Sequence, residues 1–314
     1  MTDFAYHSNA TFLKVAPSTP HAAAPRPFGL AGLTWDGSTT NRPGARFGPR
    51  AIREASHMLC DGIHPLFDCS PVDVLDDLGD LPLPNTGLEP MRAAFARQLP
   101  ALLASRHMVW LGGDHSVTLP ILRAQRERLG RPLAVIHFDA HCDTWSDHFG
   151  EPSGHGTWVY EAMQEGLVVD ACFTQIGIRS AGERDAREYV RDRGGLIYTA
   201  RDLRGRDGAA QLADVTGAIR QRLAEHGHPP VYLSLDIDCL DPAFAPGTGT
   251  PEPGGLATSQ VLTLLEELAD LAYVGMDCVE VAPAYDHAEL TSNAAAAFVW
   301  TYLAGRMAAA ARSL

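Results

Sequence analysis

The chain of 314 residues is 46% hydrophobic and 20% charged, the balance of a globular protein with a sizeable core. It carries 38 Asp and Glu against 25 Lys and Arg, a formal charge of −13, with no basic run dense enough for a nucleic-acid patch. Its best apolar stretch, 294–305, is short, Ala-rich and stopped by Arg306, below the ~18–20 residues of a membrane span.

The opening MTDFAYHSNATFLK has neither the basic nor the apolar region of a secretory leader, and residues 1–27 read as an arm lying on the surface or on a neighbouring subunit. From there short apolar runs alternate with amphipathic stretches. The runs at 28–35, 72–79, 108–113, 133–140, 173–178, 231–238 and 273–281 predict strands buried on both faces. Leu212, Val215, Ile219 and Leu223 recur at helical spacing with Gly227 as the stop, and 258–272 opens on cap-type residues. Strands alternating with helices predict one parallel sheet flanked by helices, in a single domain over 28–314. The six cysteines are widely spaced and form no CxxC pair, which predicts free thiols in a cytoplasmic protein.

Three of the strands run directly into clustered Asp and His: GGDHS at 112–116, DAHCD at 139–143 and DIDCLD at 236–241. Ligands of open α/β sheets bind beyond the carboxyl ends of the strands, so one site can collect His115, Asp139, His141, Asp143, Asp236 and Asp238. If the chain is extended there, alternate residues of DAHCD and of DID face the same way. Four converging carboxylates repel unless cations join them, and two divalent ions bring +4 against −4. Oxygen-rich ligation with two imidazoles suits Mn²⁺, with Ni²⁺, Co²⁺ and Zn²⁺ as alternatives. Asp114 reads as a capping residue and Asp241-Pro242 as a turn. His155 lies in a Gly-rich loop from which it can approach the metals. Glu280, at the end of an apolar strand, either pairs with a cation or takes a raised pKa, and a guanidinium is the planar cation a carboxylate grips with two hydrogen bonds.

These motifs, with SLDIDCLDPAFAPGTGTPEPGG at 234–255, resemble the arginase–agmatinase (ureohydrolase) family. The segments TTNRPGARFGPRAIREAS (39–56), HGTWVYEAMQEGL (155–167) and VGMDCVEVAPAYDHAEL (274–290) look like its agmatinase branch. The resemblance implies a three-layer α/β/α sandwich around an eight-stranded, mainly parallel sheet, and a homo-oligomer, trimer or hexamer. It implies two Mn²⁺ ions per subunit, one on His115, Asp139, Asp143 and Asp236, the other on His141, Asp139, Asp236 and Asp238. A water bridging such ions becomes a hydroxide near neutral pH and attacks the guanidinium carbon, releasing urea and an amine. Asp143 would then pass on the hydroxide's proton, His155 would exchange protons with solvent, and Glu280 would orient the guanidinium. Trp145 stands where arginase-type chains carry an Asn that helps bind the substrate's α-carboxylate. This favours agmatine, hydrolysed to putrescine and urea, as the small cationic substrate. Guanidinobutyrate, guanidinopropionate, guanidine or a biguanide are the alternatives, and GLTWDGSTTN at 32–41 departs from the branch's usual GVPFDxGTTN in a loop near the pocket. Of other classes, a metallophosphoesterase accounts poorly for DIDCLDP and Glu280, a single-zinc deacetylase lacks the full ligand set, and a catalytically silent scaffold usually loses ligands that this chain retains.

Overall fold

The computed structural model describes residues 10–20 and 22–312. Eight strands form one sheet: β1 Phe28–Gly32, β2 Leu75–Asp80, β3 His107–Leu111, β4 Leu133–Phe138, β5 Val168–Ile178, β6 Leu196–Thr199, β7 Val231–Asp236 and β8 Tyr273–Val279. Their order is β2-β1-β3-β8-β7-β4-β5-β6, and every pairing is parallel. The central runs are apolar throughout because successive side chains enter two different cores. In β4, Ala134, Ile136 and Phe138 join the core under the helices Gly48–Ala55, Ala209–Glu225, Thr258–Glu267 and Leu290–Ala311. Leu133 and Val135 point the other way, toward the helices Leu88–Ser105, Thr118–Leu129 and Trp158–Gln164. The result is the three-layer sandwich.

Several elements depart from the sequence expectations. Strand β6 was not foreseen: it is a four-residue edge strand, mostly half-buried, and its apolar run is only three residues long. The helix over 209–225, by contrast, ends as expected, with His226 at the cap and Gly227 in the left-handed φ of +73° just beyond it. The helix at 258 begins one residue after Ala257, whose N–H donates to Gln260 Oε1 (2.8 Å), so Thr258 and Ser259 lie inside the first turn rather than at the cap. Part of the expected arm is built into the domain. Phe12, Leu13 and Val15 are buried, and Phe12 N–H donates to Asp77 Oδ2 (2.7 Å) on the edge strand β2; residues 1–9 of that arm lie outside the described residues. Among the described residues no helix is long and apolar enough to cross a membrane.

Candidate metal centre

The sheet order places β3, β8, β7 and β4 side by side at its middle; the chain leaving β3, β7 and β4 carries clustered acids and imidazoles, and that leaving β8 carries Glu280. After β3, Gly112 and Gly113 let the backbone pass tightly. Glu280 N–H donates to Gly113 O and Asp114 N–H to Trp35 O, each at 2.8 Å, and a methyl on Gly113 would overlap the Trp35 carbonyl. Asp114 caps the turn His115–Val117 by accepting from Ser116 N–H and also accepts from Ser38 N–H.

The acids after β4 and β7 converge through turns rather than extended alternation. Asp139 Oδ1 accepts His141 N–H (2.6 Å), Asp236 Oδ1 accepts Asp238 N–H (2.8 Å), and Asp143 sits in the left-handed region at φ +52°. A carboxylate that bonds the backbone two residues on closes a local turn, which competes successfully with extension at a strand end. Glu280 is likewise held at φ +63°. Both positions are costly for a residue with a Cβ, and such strain persists where the surroundings over-determine it.

The six candidate ligands meet. His115 Nδ1 lies 3.1 Å from Asp139 Oδ2, 3.2 Å from Asp143 Oδ2 and 3.1 Å from Asp236 Oδ2. His141 Nδ1 lies 3.3 Å from Asp139 Oδ1 and 3.1 Å from Asp238 Oδ2. Asp139 therefore offers one oxygen to each imidazole. Asp238 is fixed from behind, its Oδ1 accepting Ala140 N–H and its Oδ2 accepting Thr250 Oγ1–H. Asp143 Oδ2 accepts the Trp158 indole N–H at 2.8 Å.

The donor set fits divalent cations. Ser234 Oγ donates to Asp277 Oδ1 (2.7 Å) and so accepts from His115 Nε2–H (2.8 Å). That leaves the His115 Nδ1 lone pair facing three carboxylate oxygens, buried and without a hydrogen-bond partner. Burial, then the nearby Asp139 charge, push the Asp143 carboxyl up to about 7, and burial with Asp238 raises Asp236 well above the usual carboxylate range. Asp139 goes the other way despite its burial, because the imidazoles of His115, His137 and His141 gather around it. Cations between these groups would keep all four aspartates ionised and complete the orphaned nitrogen.

Above the acids opens a cavity of ≈ 380 Å³ whose lining includes Thr40, Trp145, Asp147, Phe149, His155 and Glu280. His155 is docked rather than free: Nδ1 lies 2.9 Å from Glu280 Oε1 and Nε2 2.9 Å from Thr40 Oγ1. Burial opposes its charge, yet the Glu280 carboxylate holds it up to about 9. Glu280 Oε1 also accepts His115 N–H, while its Oε2 is buried and unpartnered. Trp145 is half-buried in the wall, where Gly156 packs on its ring edge. Asp241 lies outside the cluster and anchors a turn by accepting from the N–H groups of Ala243, Gly254 and Gly255.

The sequence model of the arginase family matches residues 26–305. An agmatinase of Chromobacterium violaceum is 43% identical over 274 residues, covering 85% of this chain and 80% of that protein. The chain belongs to the arginase family. It is an amidinohydrolase of that family, with a His/Asp centre suited to a pair of metal ions. The crystallised proclavaminate amidinohydrolase of Streptomyces clavuligerus is 39% identical, covers 97% of this chain and 99% of its own, and superposes with a TM-score of 0.86. A hypothetical agmatinase from Burkholderia thailandensis is 35% identical with a TM-score of 0.85, covering 97% and 92%.

Sequence reasoning missed the groups that hold the site residues in place: His137, Gln175, Ser234, Asp277, Trp158, Thr40 and Thr250. For the first four there was a signal. Each is a polar residue inside a largely apolar strand run (LAVIHF, FTQIGI, VYLSLD, YVGMDCV).

Proposed function

We propose that the chain hydrolyses agmatine to urea and putrescine on a pair of Mn²⁺ ions, one held by His115, Asp139, Asp143 and Asp236, the other by His141, Asp139, Asp236 and Asp238. When bound, such ions supply a water acidic enough to act as a nucleophile at neutral pH and a Lewis acid beside it. The observation that carries the reading is Glu280, a buried carboxylate on the cavity wall with Oε2 unpartnered, since a carboxylate so placed matches the N–H edge of a guanidinium. Holding that edge orients the guanidinium carbon over the acids. Asp143 Oδ2 is occupied by Trp158, so Oδ1 is the oxygen left to hold a proton for the departing amine, which leaves well only when protonated. His155, bridging Glu280 and Thr40 at the cavity wall, exchanges protons between the site and water.

The tail of the substrate meets Trp145, Phe149 and the exposed Asp147, and the described lining includes no Lys or Arg. That supports a cationic tail over a carboxylate. A second reading, hydrolysis of another guanidino compound, is favoured by the likeness to the Streptomyces clavuligerus proclavaminate amidinohydrolase, 40% identical over 91% of this chain and 90% of that protein. A diamine product places the reaction in polyamine biosynthesis, and six free thiols support the cytoplasm as its compartment. A homo-oligomer, trimer or hexamer, goes with this reading and is checked by light scattering. The deciding experiment is urea release from agmatine, arginine, guanidinobutyrate, guanidinopropionate, guanidine and a biguanide, with Mn²⁺, Ni²⁺, Co²⁺ and Zn²⁺ each supplied. Agmatine should give the highest kcat/KM; a better arginine or guanidinobutyrate rate would reject it as the substrate.

A further inference from the structure

A row of polar side chains crosses the sheet one layer beneath the metal centre. Gln175 of β5 is paired in register with His137 of β4, His137 with Ser234 of β7, and Ser234 with Asp277 of β8. All four are essentially sealed from solvent. Four polar residues in the core of parallel strands are expensive unless each is bonded, and here the bonds lead upward to the ligands. On one side Asp277 and Ser234 hold His115, as described above. On the other, His137 Nε2 lies 2.8 Å from Asp139 Oδ2.

His137 is close enough to the acids to count as a third imidazole ligand, since its ring nitrogen falls within the same cluster as His115, Asp139 and Asp143. Its hydrogen bonds decide otherwise. Gln175 Nε2 donates to Cys142 O at 2.7 Å, which fixes the amide orientation with its nitrogen toward His137 Nδ1, 3.2 Å away. Nδ1 is therefore the acceptor and the ring proton sits on Nε2, pointing at Asp139. A nitrogen that carries a proton has no lone pair for a metal.

We infer that His137, locked in this tautomer by Gln175, is a positioning residue that donates to Asp139 and sets the affinity of the centre for its cations without ligating them. The inference rests on the two-ion reading above. Asp139 is the carboxylate that faces both imidazoles, so loosening it should weaken both positions together, and groups of this kind typically contribute about 10–100-fold in metal affinity.

The test is a Mn²⁺ titration against a chromophoric chelator, with metal counted per chain at saturation, for the wild type, His137→Phe and His137→Gln. Phe keeps a ring against Trp158 and Phe173 without the donor; Gln restores an N–H near the Nε2 position. Expected are two ions per chain in all three proteins at saturation, affinity about 10–100-fold weaker in His137→Phe, most of it recovered in His137→Gln, and kcat regained at high Mn²⁺. One ion per chain at saturation in either variant would make His137 a ligand and overturn the inference. Unchanged affinity in a folded His137→Phe would overturn it as well. Should the Phe variant fail to fold, His137→Gln decides, with two ions and near-native affinity required. A wild type that does not bind two ions fails the two-ion reading itself, a result separate from any variant's.

Discussion

At the scale of single residues, the duties proposed for Asp139, Glu280 and His155 are separable. Asp139 presents Oδ1 to His141 and Oδ2 to His115, so Asp139→Ala should empty both positions, and elemental analysis should find well under one ion per chain. Glu280→Gln keeps the shape and the acceptor for His115 N–H but removes the charge proposed to meet the guanidinium. Hydrogen bonds to charged groups contribute about 1.5–3 kcal/mol, so kcat/KM should fall about 10–150-fold while metal content stays at two. His155 carries a pH signature. Burial opposes its charge, but Glu280 raises its folded pKa to about 9, above the ordinary 6.5, so its pairing stabilises fully below about pH 6.5 and is lost as pH rises through 9. In metal-free protein, the stability gap between wild type and His155→Ala should therefore be widest near pH 6 and shrink toward pH 10. A gap that does not change with pH would remove the Glu280 pairing as its cause.

At the scale of elements, the strand ends do the positioning. Gly113→Ala would drive a methyl into the Trp35 carbonyl, where the turn after β3 crosses the loop after β1; overpacking of that kind costs about 1–3 kcal/mol, to be read from the denaturation midpoint. Gly217→Ala is the control. It lies inside the helix Ala209–Glu225 with open space around it, and should gain a few tenths to about 1 kcal/mol. Seven of the eight strands were legible as apolar runs because both sheet faces are covered. Strand β6 was not, because its apolar run of Leu196, Ile197 and Tyr198 is too short to stand out as a strand. The six acids and imidazoles were legible because each cluster follows a strand directly. Their manner of convergence was not, since period-two alternation says nothing about a carboxylate folding back on its own backbone at Asp139 and Asp236. The supports under them stayed hidden for a different reason: His137 and Gln175 are 38 positions apart, and only strand pairing puts them side by side.

At the scale of the whole molecule, the metal centre would tie three strand ends, those of β3, β4 and β7, and their loops together, so chelation should loosen all of it. Two cations that bind only the folded chain stabilise it by mass action, about 2.7 kcal/mol for each site filled at a hundredfold excess over its Kd. Calorimetry with and without EDTA should show Tm falling by several degrees on metal removal; an unmoved Tm would place the ions at the periphery of stability. The −13 charge of the chain is consistent with drawing a dication toward the cavity, and its KM should rise with added salt more steeply than that of neutral guanidino compounds.

The middle position of β3, β8, β7 and β4 has one more consequence. Each of the four is paired along both of its sides, so their amide protons have no route to solvent short of the whole sheet coming apart, whereas β6 has a strand on one side only and β2 is met on its outer side by a single bridge, Pro17 to Asp77. In D₂O the backbone beneath the site should therefore keep its protons longest, trading them only at the pace of global unfolding, while the two rim strands exchange early. The acids and imidazoles proposed to do the chemistry would then stand on the part of the protein slowest to open.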